Sequence, residues 1–338
     1  MLLARACRAG ISSPALSSLI RTPVVPTRPQ FSKGQIARLF VSDGRSSYTR
    51  TARRRATAAE QAMAPAGETA FDIGKGAVAG GAVLGLGALC YYGLGLSSTT
   101  GAIDHASLWP QYVRERIKST YTYFGTSIAV STASAAVCLC SPAVMNMVMR
   151  QGWVALAVSL AAMISTGMLV QGLPYEEGFG AKQMAWLVHT SVVGAVLAPL
   201  YLLGGPLVLR AAWCTAGVVG SLSAVAVCAP SDKFLKMGGP LAIGLGVVFA
   251  SSLGSVFLPP TTILGSGLHS IALYGGLLLF SGFLLYDTQR IIQQAETYSI
   301  YGRPYDPINN AISIYLDTIN IFVRILSILA GGGGNRRK

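Results

Sequence analysis

Asp287 and Asp317 each lie inside a long apolar run near the end of this 338-residue chain, and the other strongly hydrophobic stretches contain no carboxylate. A charged side chain at mid-bilayer depth costs about 2.5–3.5 kcal/mol even on the mildest insertion scale. Two such residues on neighbouring spans suggest a shared proton or cation, because sharing lowers that cost. Brought close in a low dielectric, the two carboxyls cannot both stay charged cheaply, and they titrate as a coupled unit. Such a pair can exchange two protons for one Ca²⁺ with no change in site charge. Calcium prefers six to eight oxygen ligands. Backbone carbonyls, Asn320, Thr288 and water would have to complete the set, so binding is expected to be weak, which suits transport better than storage.

Asn320 and Arg324 follow Asp317 at i+3 and i+7, which places all three on one helical face. A purely structural reading stays open, in which the aspartates cap or salt-bridge the bundle, Asp317 pairing with Arg324 or Arg210. Arg210 stands a few residues into its segment, where snorkelling to the headgroups competes with a buried ion pair. His189 is a further candidate for titration or metal ligation, against the plainer role of a packed histidine. His105 and His269 lie near segment ends and say little. Glu176 and Glu177 sit between Pro174 and Gly178 in a short loop and read as a solvated turn, or else as a cation-attracting mouth. The sequence contains no hydrolase triad, phosphate loop or nucleotide fingerprint. Intramembrane aspartyl proteases also use two aspartates, but their Gly-x-Gly-Asp element is replaced here by Ile314-Tyr315-Leu316-Asp317. The expectation is a protein that is not an enzyme and needs no cofactor.

The elements that must position the aspartates are transmembrane helices. The chain is 52% hydrophobic and 12% charged, with mean hydropathy +0.52, where soluble domains carry about 25% charged residues. Eight runs approach the roughly 20 apolar residues that cross a bilayer: 75–96, 121–141, 152–172, 184–204, 206–229, 238–258, 267–287 and 308–330. The first stands apart, separated by a basic linker (97–120) from a compact seven-helix core (121–330), and a basic tail (331–338) follows. In this division Asp287 closes its span, where it has access to the interface. The last span is interrupted by Asp317, Asn320 and Arg324, so it crosses, dips into the bundle or lines a polar cavity. Loops on one side of the core carry Arg114, Arg116, Lys118, Lys182, Lys233, Lys236, Arg290 and Arg303, against Arg150 on the other. The basic side is therefore expected to face inward. Gly238, Ala242, Gly246, Ala250 and Gly254 recur every fourth residue as a small-residue packing stripe. Gly76/Gly80 and Gly81/Gly85 offer a similar surface on the first segment, through which the chain could form a homodimer.

The net charge of +13 concentrates in the leader, where residues 1–70 hold 11 basic against 3 acidic side chains. Ten of the eleven are Arg, in a background of Ser, Thr and Ala, and Pro14 interrupts an otherwise amphipathic start. This is the composition of a mitochondrial transit peptide and leader; a disordered basic tail or a chloroplast signal are the alternatives. No nucleic-acid surface is implied. The six cysteines include no Cys-x-x-Cys pair, so neither a zinc site nor structural disulfides are expected.

Gly254-Ser255-Val256-Phe257, Tyr274-Gly275-Gly276, Leu285-Tyr286-Asp287-Thr288-Gln289, Asp306-Pro307-Ile308-Asn309 and Leu316-Asp317-Thr318-Ile319-Asn320 together resemble the transmembrane BAX inhibitor motif family. Gly87-Ala88-Leu89-Cys90-Tyr91-Tyr92-Gly93-Leu94-Gly95-Leu96, Trp109-Pro110-Gln111-Tyr112-Val113 and Arg210-Ala211-Ala212-Trp213 are similar to a mitochondrial member of it. The resemblance covers about 75–338. It implies an all-α membrane protein, a seven-helix core with the last helix central, plus one extra N-terminal transmembrane segment. It also implies a multi-pass protein of the mitochondrial inner membrane, Ca²⁺/H⁺ exchange through a pH-sensitive latch at Asp287 and Asp317, and links to cristae organisation and cytochrome c retention. The family's arginine partner on the second core helix has no counterpart in 152–172, which leaves Arg210, Arg324 or no arginine in that role.

Three functions fit these residues: a Ca²⁺/H⁺ antiporter using the aspartate pair, a pH-gated Ca²⁺ leak channel, and a scaffold that organises inner-membrane proteins through glycine-lined helices. A transporter requires the carboxylates. A scaffold tolerates their loss but not bulk at Gly81 or Gly85.

Overall fold

The computed structural model describes residues 57–65, 69–94, 96–97, 101, 106–141, 145, 153–230, 233–297 and 305–332. Residues 1–56 of the expected transit peptide and leader, Arg150, Arg303, His105 and residues 333–338 of the tail lie outside the described residues. Apart from an isolated bridge between Pro65 and Thr262, the described residues are helices and their connections. They are α1 (Ala58–Ala62), α2 (Thr69–Gly93), α3 (Gln111–Cys140), α4 (Trp153–Gly172), α5 (Ala181–Leu197, continued as a 3₁₀ turn to Leu203) and α6 (Gly205–Cys228). Then follow α7 (Gly238–Phe257), α8 (Ile263–Ser270), α9 (Gly276–Thr297) and α10 (Pro307–Gly332). A π-helical turn, Ile271–Gly275, joins α8 and α9 into one continuous rod. Among the described residues, seven helices are long and apolar enough to cross a membrane, and α4 adds a shorter apolar stretch, Ala157–Gly172.

Several boundaries differ from the sequence expectation. The span expected to end at Asp287 runs ten residues further, to Thr297. Polar Gln289, Arg290, Gln293 and Gln294 lower the hydropathy there, but Ile291, Ile292 and Ala295 continue the buried face. Asp287 is thus an interior residue of its helix and not a terminal one. The basic linker 97–120 is helical from Gln111, so Arg114, Arg116 and Lys118 decorate the first turns of α3. The end of the expected leader is also structured. Thr57 and Glu60 form a reciprocal cap on α1, and Ile263 N donates to the Ala64 carbonyl at 3.0 Å.

α10 is the centre of the bundle: 44% of its apolar window is buried, against 6% for α2. Its first turns pack Ile308 and Ile312 against Val170 of α4 and Trp186 of α5. Along α9, Leu277, Leu284 and Ile291 recur at seven-residue spacing and meet Ile314 and Ile321 of α10, also seven apart. Such a seam keeps two helices in contact along their length. Tyr315 ties α10 to α3. Ser131 Oγ of α3 faces the Ser127 and Thr190 carbonyls at 2.8 and 2.9 Å and the Tyr315 hydroxyl at 2.6 Å. Trp186 Nε1 donates to Ser127 Oγ at 2.8 Å, closing the contact between α3 and α5.

The small-residue stripe of α7 is not an internal seam. Gly238 meets Tyr286 and Gly254 meets Leu268, but Ala242, Gly246 and Ala250 are exposed. The packed face is Leu241, Gly244, Val248 and Ser251. With 3.6 residues per turn, a strict four-residue step rotates by about 40° each time, so the stripe winds off the contact surface. On α2 the surface is likewise redistributed. Gly74 packs on Ser270 and Tyr274, and Gly81 on Leu278, while Gly76 and Gly80 point outward. Gly81 is therefore engaged by the core and is not a free dimerisation face.

Candidate functional site: a buried aspartate pair

Asp287 and Asp317 meet because both stand three residues after a heptad core position, Leu284 on α9 and Ile314 on α10. The helices run antiparallel in one register. Asp287 faces Asp317, and seven residues away in opposite directions Phe280 lies 4.6 Å beneath the Arg324 guanidinium. Both aspartates are buried, at 7% and 6% exposure. Their carboxyls are within hydrogen-bonding reach of each other. Two carboxyl groups hydrogen-bond only if at least one carries a proton, since a carboxylate has no donor. Asp317 Oδ2 is buried with no hydrogen-bond partner.

The supporting residues fall elsewhere. Asn320 donates to the Leu316 carbonyl at 2.9 Å, and its Oδ1 accepts from Arg324 at 3.0 Å, so its oxygen serves the arginine. Arg324 donates through Nε to the Ala272 carbonyl in the π turn at 3.2 Å. It stabilises the joint of the α8–α9 rod, and its Nη1 donates to the Asn320 carbonyl and side-chain oxygen at 3.1 and 3.0 Å. Thr288 donates to Leu284 O at 2.7 Å and meets the Tyr121 hydroxyl of α3. Arg210 is exposed near the start of α6. The carbonyl of Ala226, sixteen residues along that helix, receives Gln289, so Arg210 stands about 24 Å along the axis from the aspartate level. His189 is buried between α4 and α5, where Thr166 Oγ1 meets Nδ1 at 2.9 Å, and it too is not brought to the pair.

The cation beside the pair is Arg290, which the sequence analysis counted only as loop charge. Its Nη1 lies 3.8 Å from Asp287 Oδ1, and its side chain is 45% exposed. The signal was the i+3 spacing from Asp287, masked by placing the helix end at 287.

A second ionic contact was also missed. Lys182, 2% exposed at the start of α5, donates to Asp306 Oδ2 at 2.5 Å and to the Leu173 carbonyl at 2.7 Å. Asp306 Oδ1 in turn accepts from the backbone N–H groups of Ile308 and Asn309, capping α10. Nearby, the Tyr305 hydroxyl meets Thr120 Oγ1 at 2.7 Å, and Arg116 donates to the Ala295 carbonyl at 2.8 Å. Burial raises the Tyr305 phenol above its ordinary value, so it stays protonated. These contacts hold the basic ends of α3, α5, α9 and α10 together, ten or so residues from the aspartates.

Residues 113–335 match the family described as Inhibitor of apoptosis-promoting Bax1. The chain belongs to that family. It is 57% identical over 283 residues to growth hormone-inducible transmembrane protein of Rattus norvegicus, covering 82% of each chain. It is 29% identical over 231 residues to Bax inhibitor 1 of Rattus norvegicus, covering 67% of this chain and 89% of that one. An uncharacterised protein of Helicobacter pylori is 30% identical over 220 residues, covering 63% and 85%. The Bax1 inhibitor match begins at Val113, so α2 lies outside it and is an addition to the family core.

At the far end of the seam, a Cβ placed on Gly276 would stand 2.1 Å from Arg324 Nε. Gly276→Ala is expected to displace the guanidinium from the Ala272 carbonyl and destabilise the protein by about 1–3 kcal/mol. Thermal unfolding in detergent measures this, and an unchanged midpoint contradicts the assignment.

Proposed function

We propose that this multi-pass membrane protein exchanges Ca²⁺ for protons, with Asp287 and Asp317 as the exchanging groups. The observation that carries the reading is the buried contact between two carboxyls on adjacent spans. Protonation makes that contact tolerable, and a Ca²⁺ that displaces two protons, one from each carboxyl, leaves the net charge of the site unaltered. Apart from the Asp287 carboxyl, no donor engages Asp317 Oδ2, which leaves it available to a cation. Two carboxyls fall short of the six to eight oxygens calcium prefers, and the Asn320 oxygen is already taken by Arg324. Water completes the shell, and binding is weak and transient. Calcium here is cargo, so the protein has no resident cofactor and no enzymatic activity.

Residence in the mitochondrial inner membrane is supported by the arginine-rich leader, with the basic ends of the helices in the matrix. Effects on cristae and on cytochrome c retention, and association with other inner-membrane proteins, would follow from altered matrix Ca²⁺ and pH. A scaffold built on Gly81 and Gly85 is less favoured, because Gly81 packs on Leu278 within the chain.

The exchanger and a leak channel differ in their response to voltage. Two-for-one exchange moves no net charge, whereas a channel passing Ca²⁺ gains about 4.6 kcal/mol across 100 mV. Ca²⁺ flux in proteoliposomes held at stepped potassium diffusion potentials distinguishes them. Flux independent of potential supports the exchanger, and steep dependence assigns a channel.

Arg290 modulates the site in this scheme. A half-exposed cation 3.8 Å from Asp287 competes with Ca²⁺, and solvent limits its influence to about 1 kcal/mol. Arg290→Gln is expected to raise apparent Ca²⁺ affinity about fivefold, equivalent to that energy. A fall in affinity in the flux assay would make Arg290 a positioning group for Asp287 and not a competitor.

A further inference from the structure

The geometry points to a binding site for one acyl chain of an anionic phospholipid, between the added helix α2 and the core helices α6 and α9. This rests on membrane residence and is independent of the transport reading. α2 is fastened to the core at both ends and touches it at Val78 and Gly81 in between, leaving a cleft beside these contacts. At one end Ser270 donates to the Ala70 carbonyl at 2.7 Å, and Gly74 lies against Tyr274. At the other, Lys233 Nζ meets the Tyr92 hydroxyl and sits 4.7 Å over its ring. Between them a cavity of ≈ 210 Å³ runs from Val78 to Leu89 along α2, walled by Val225 and Ser221 of α6 and by Leu278 of α9.

Three properties select the occupant. The walls are apolar: Ser221 and Ser281 line the cavity, but each hydroxyl is spent on a carbonyl of its own helix, Val218 and Leu277. The width is set by glycine, since a Cβ on Gly85 would meet nothing within 4 Å. A helix is about 10 Å across, and one lying alongside Val78 to Leu89 would displace far more than the ≈ 210 Å³ of the cavity, whereas a flexible hydrocarbon chain is much thinner. One turn beyond Leu89 the cleft ends at Tyr92 and the exposed Lys233, with exposed Lys236 on the following turn. An aromatic hydroxyl and lysines at the end of an apolar slot match a phosphate headgroup at the interface. α2 is thereby seated on the core through lipid as well as through its own contacts.

The test is native mass spectrometry of the full chain released from detergent after titration with dioleoyl phosphatidylglycerol or dioleoyl phosphatidylcholine. The wild type should retain one phosphatidylglycerol at least tenfold more tightly than phosphatidylcholine. Gly85→Leu and Ser221→Leu fill the slot from opposite walls and should each abolish retention of both lipids, with unfolding midpoints near wild type. Lys233→Gln should keep one bound lipid but lose the preference for phosphatidylglycerol. Equal retention of the two lipids by the wild type, or retention unchanged in both folded slot-filling variants, overturns the proposal. So does a wild-type dimer that both slot-filling variants disrupt, because it would make the cleft a protein interface.

Discussion

Asp287→Asn and Asp317→Asn are each expected to reduce Ca²⁺-driven proton movement to the level of protein-free vesicles while leaving the protein folded. The two carboxyls act as one unit, so removing either should be as damaging as removing both. An amide keeps the shape and the hydrogen-bonding capacity of the group it replaces but neither releases a proton nor contributes charge to a bound cation. Stability should hold or rise, because burying two ionisable groups side by side is itself unfavourable and neutral replacements of buried charge are often tolerated. This separates a transport defect from misfolding. Proteoliposome flux with an internal pH dye, alongside unfolding midpoints, checks both halves. If Asp317→Asn transports normally, Asp317 is structural and the exchange assignment fails.

The second large effect concerns Lys182 and Asp306. The lysine side chain is 1% exposed and the aspartate 25%, so loss of either partner is asymmetric. Asp306→Ala leaves the ammonium buried without its counter-ion and uncaps the central helix. Stranding a buried charge costs about 3–5 kcal/mol, and the cap adds about 1 kcal/mol. Lys182→Met leaves a partly hydrated carboxylate that still caps α10, and the Leu173 carbonyl loses a donor, for about 1–2 kcal/mol. The double substitution should be more stable than Asp306→Ala alone, since the stranded charge is gone. Denaturation of the four proteins in one detergent measures the cycle. Equal effects of the single substitutions would show that the lysine is hydrated in solution.

The helical bundle and the placement of the two aspartates inside it are legible in the sequence because hydropathy marks spans and carboxylates interrupt it. Their meeting was legible too, though through a different signal. Leu277, Leu284 and Ile291, with Ile314 and Ile321, form a heptad seam that carries Asp287 and Asp317 at equivalent positions. Hydropathy windows average over such a seam, and they placed the helix end at Asp287, hiding Arg290. The supporting set could not be read from one helix alone. Asn320 and Arg324 share a face with Asp317, but antiparallel packing sets Arg324 against Phe280 and the π turn, seven residues and more before Asp287 on the partner helix. Lys182 and Asp306 are 124 residues apart, and each looks like a loop charge until folding buries the lysine. The α7 stripe failed for a geometric reason, the drift of a four-residue step around a 3.6-residue helix.

The most direct measurement of the central claim is the proton count for each Ca²⁺ carried by purified wild-type protein in proteoliposomes, with the membrane potential clamped at zero. The account predicts two protons moving opposite to each Ca²⁺. Calcium flux without proton movement, or no flux from correctly folded protein, would contradict it.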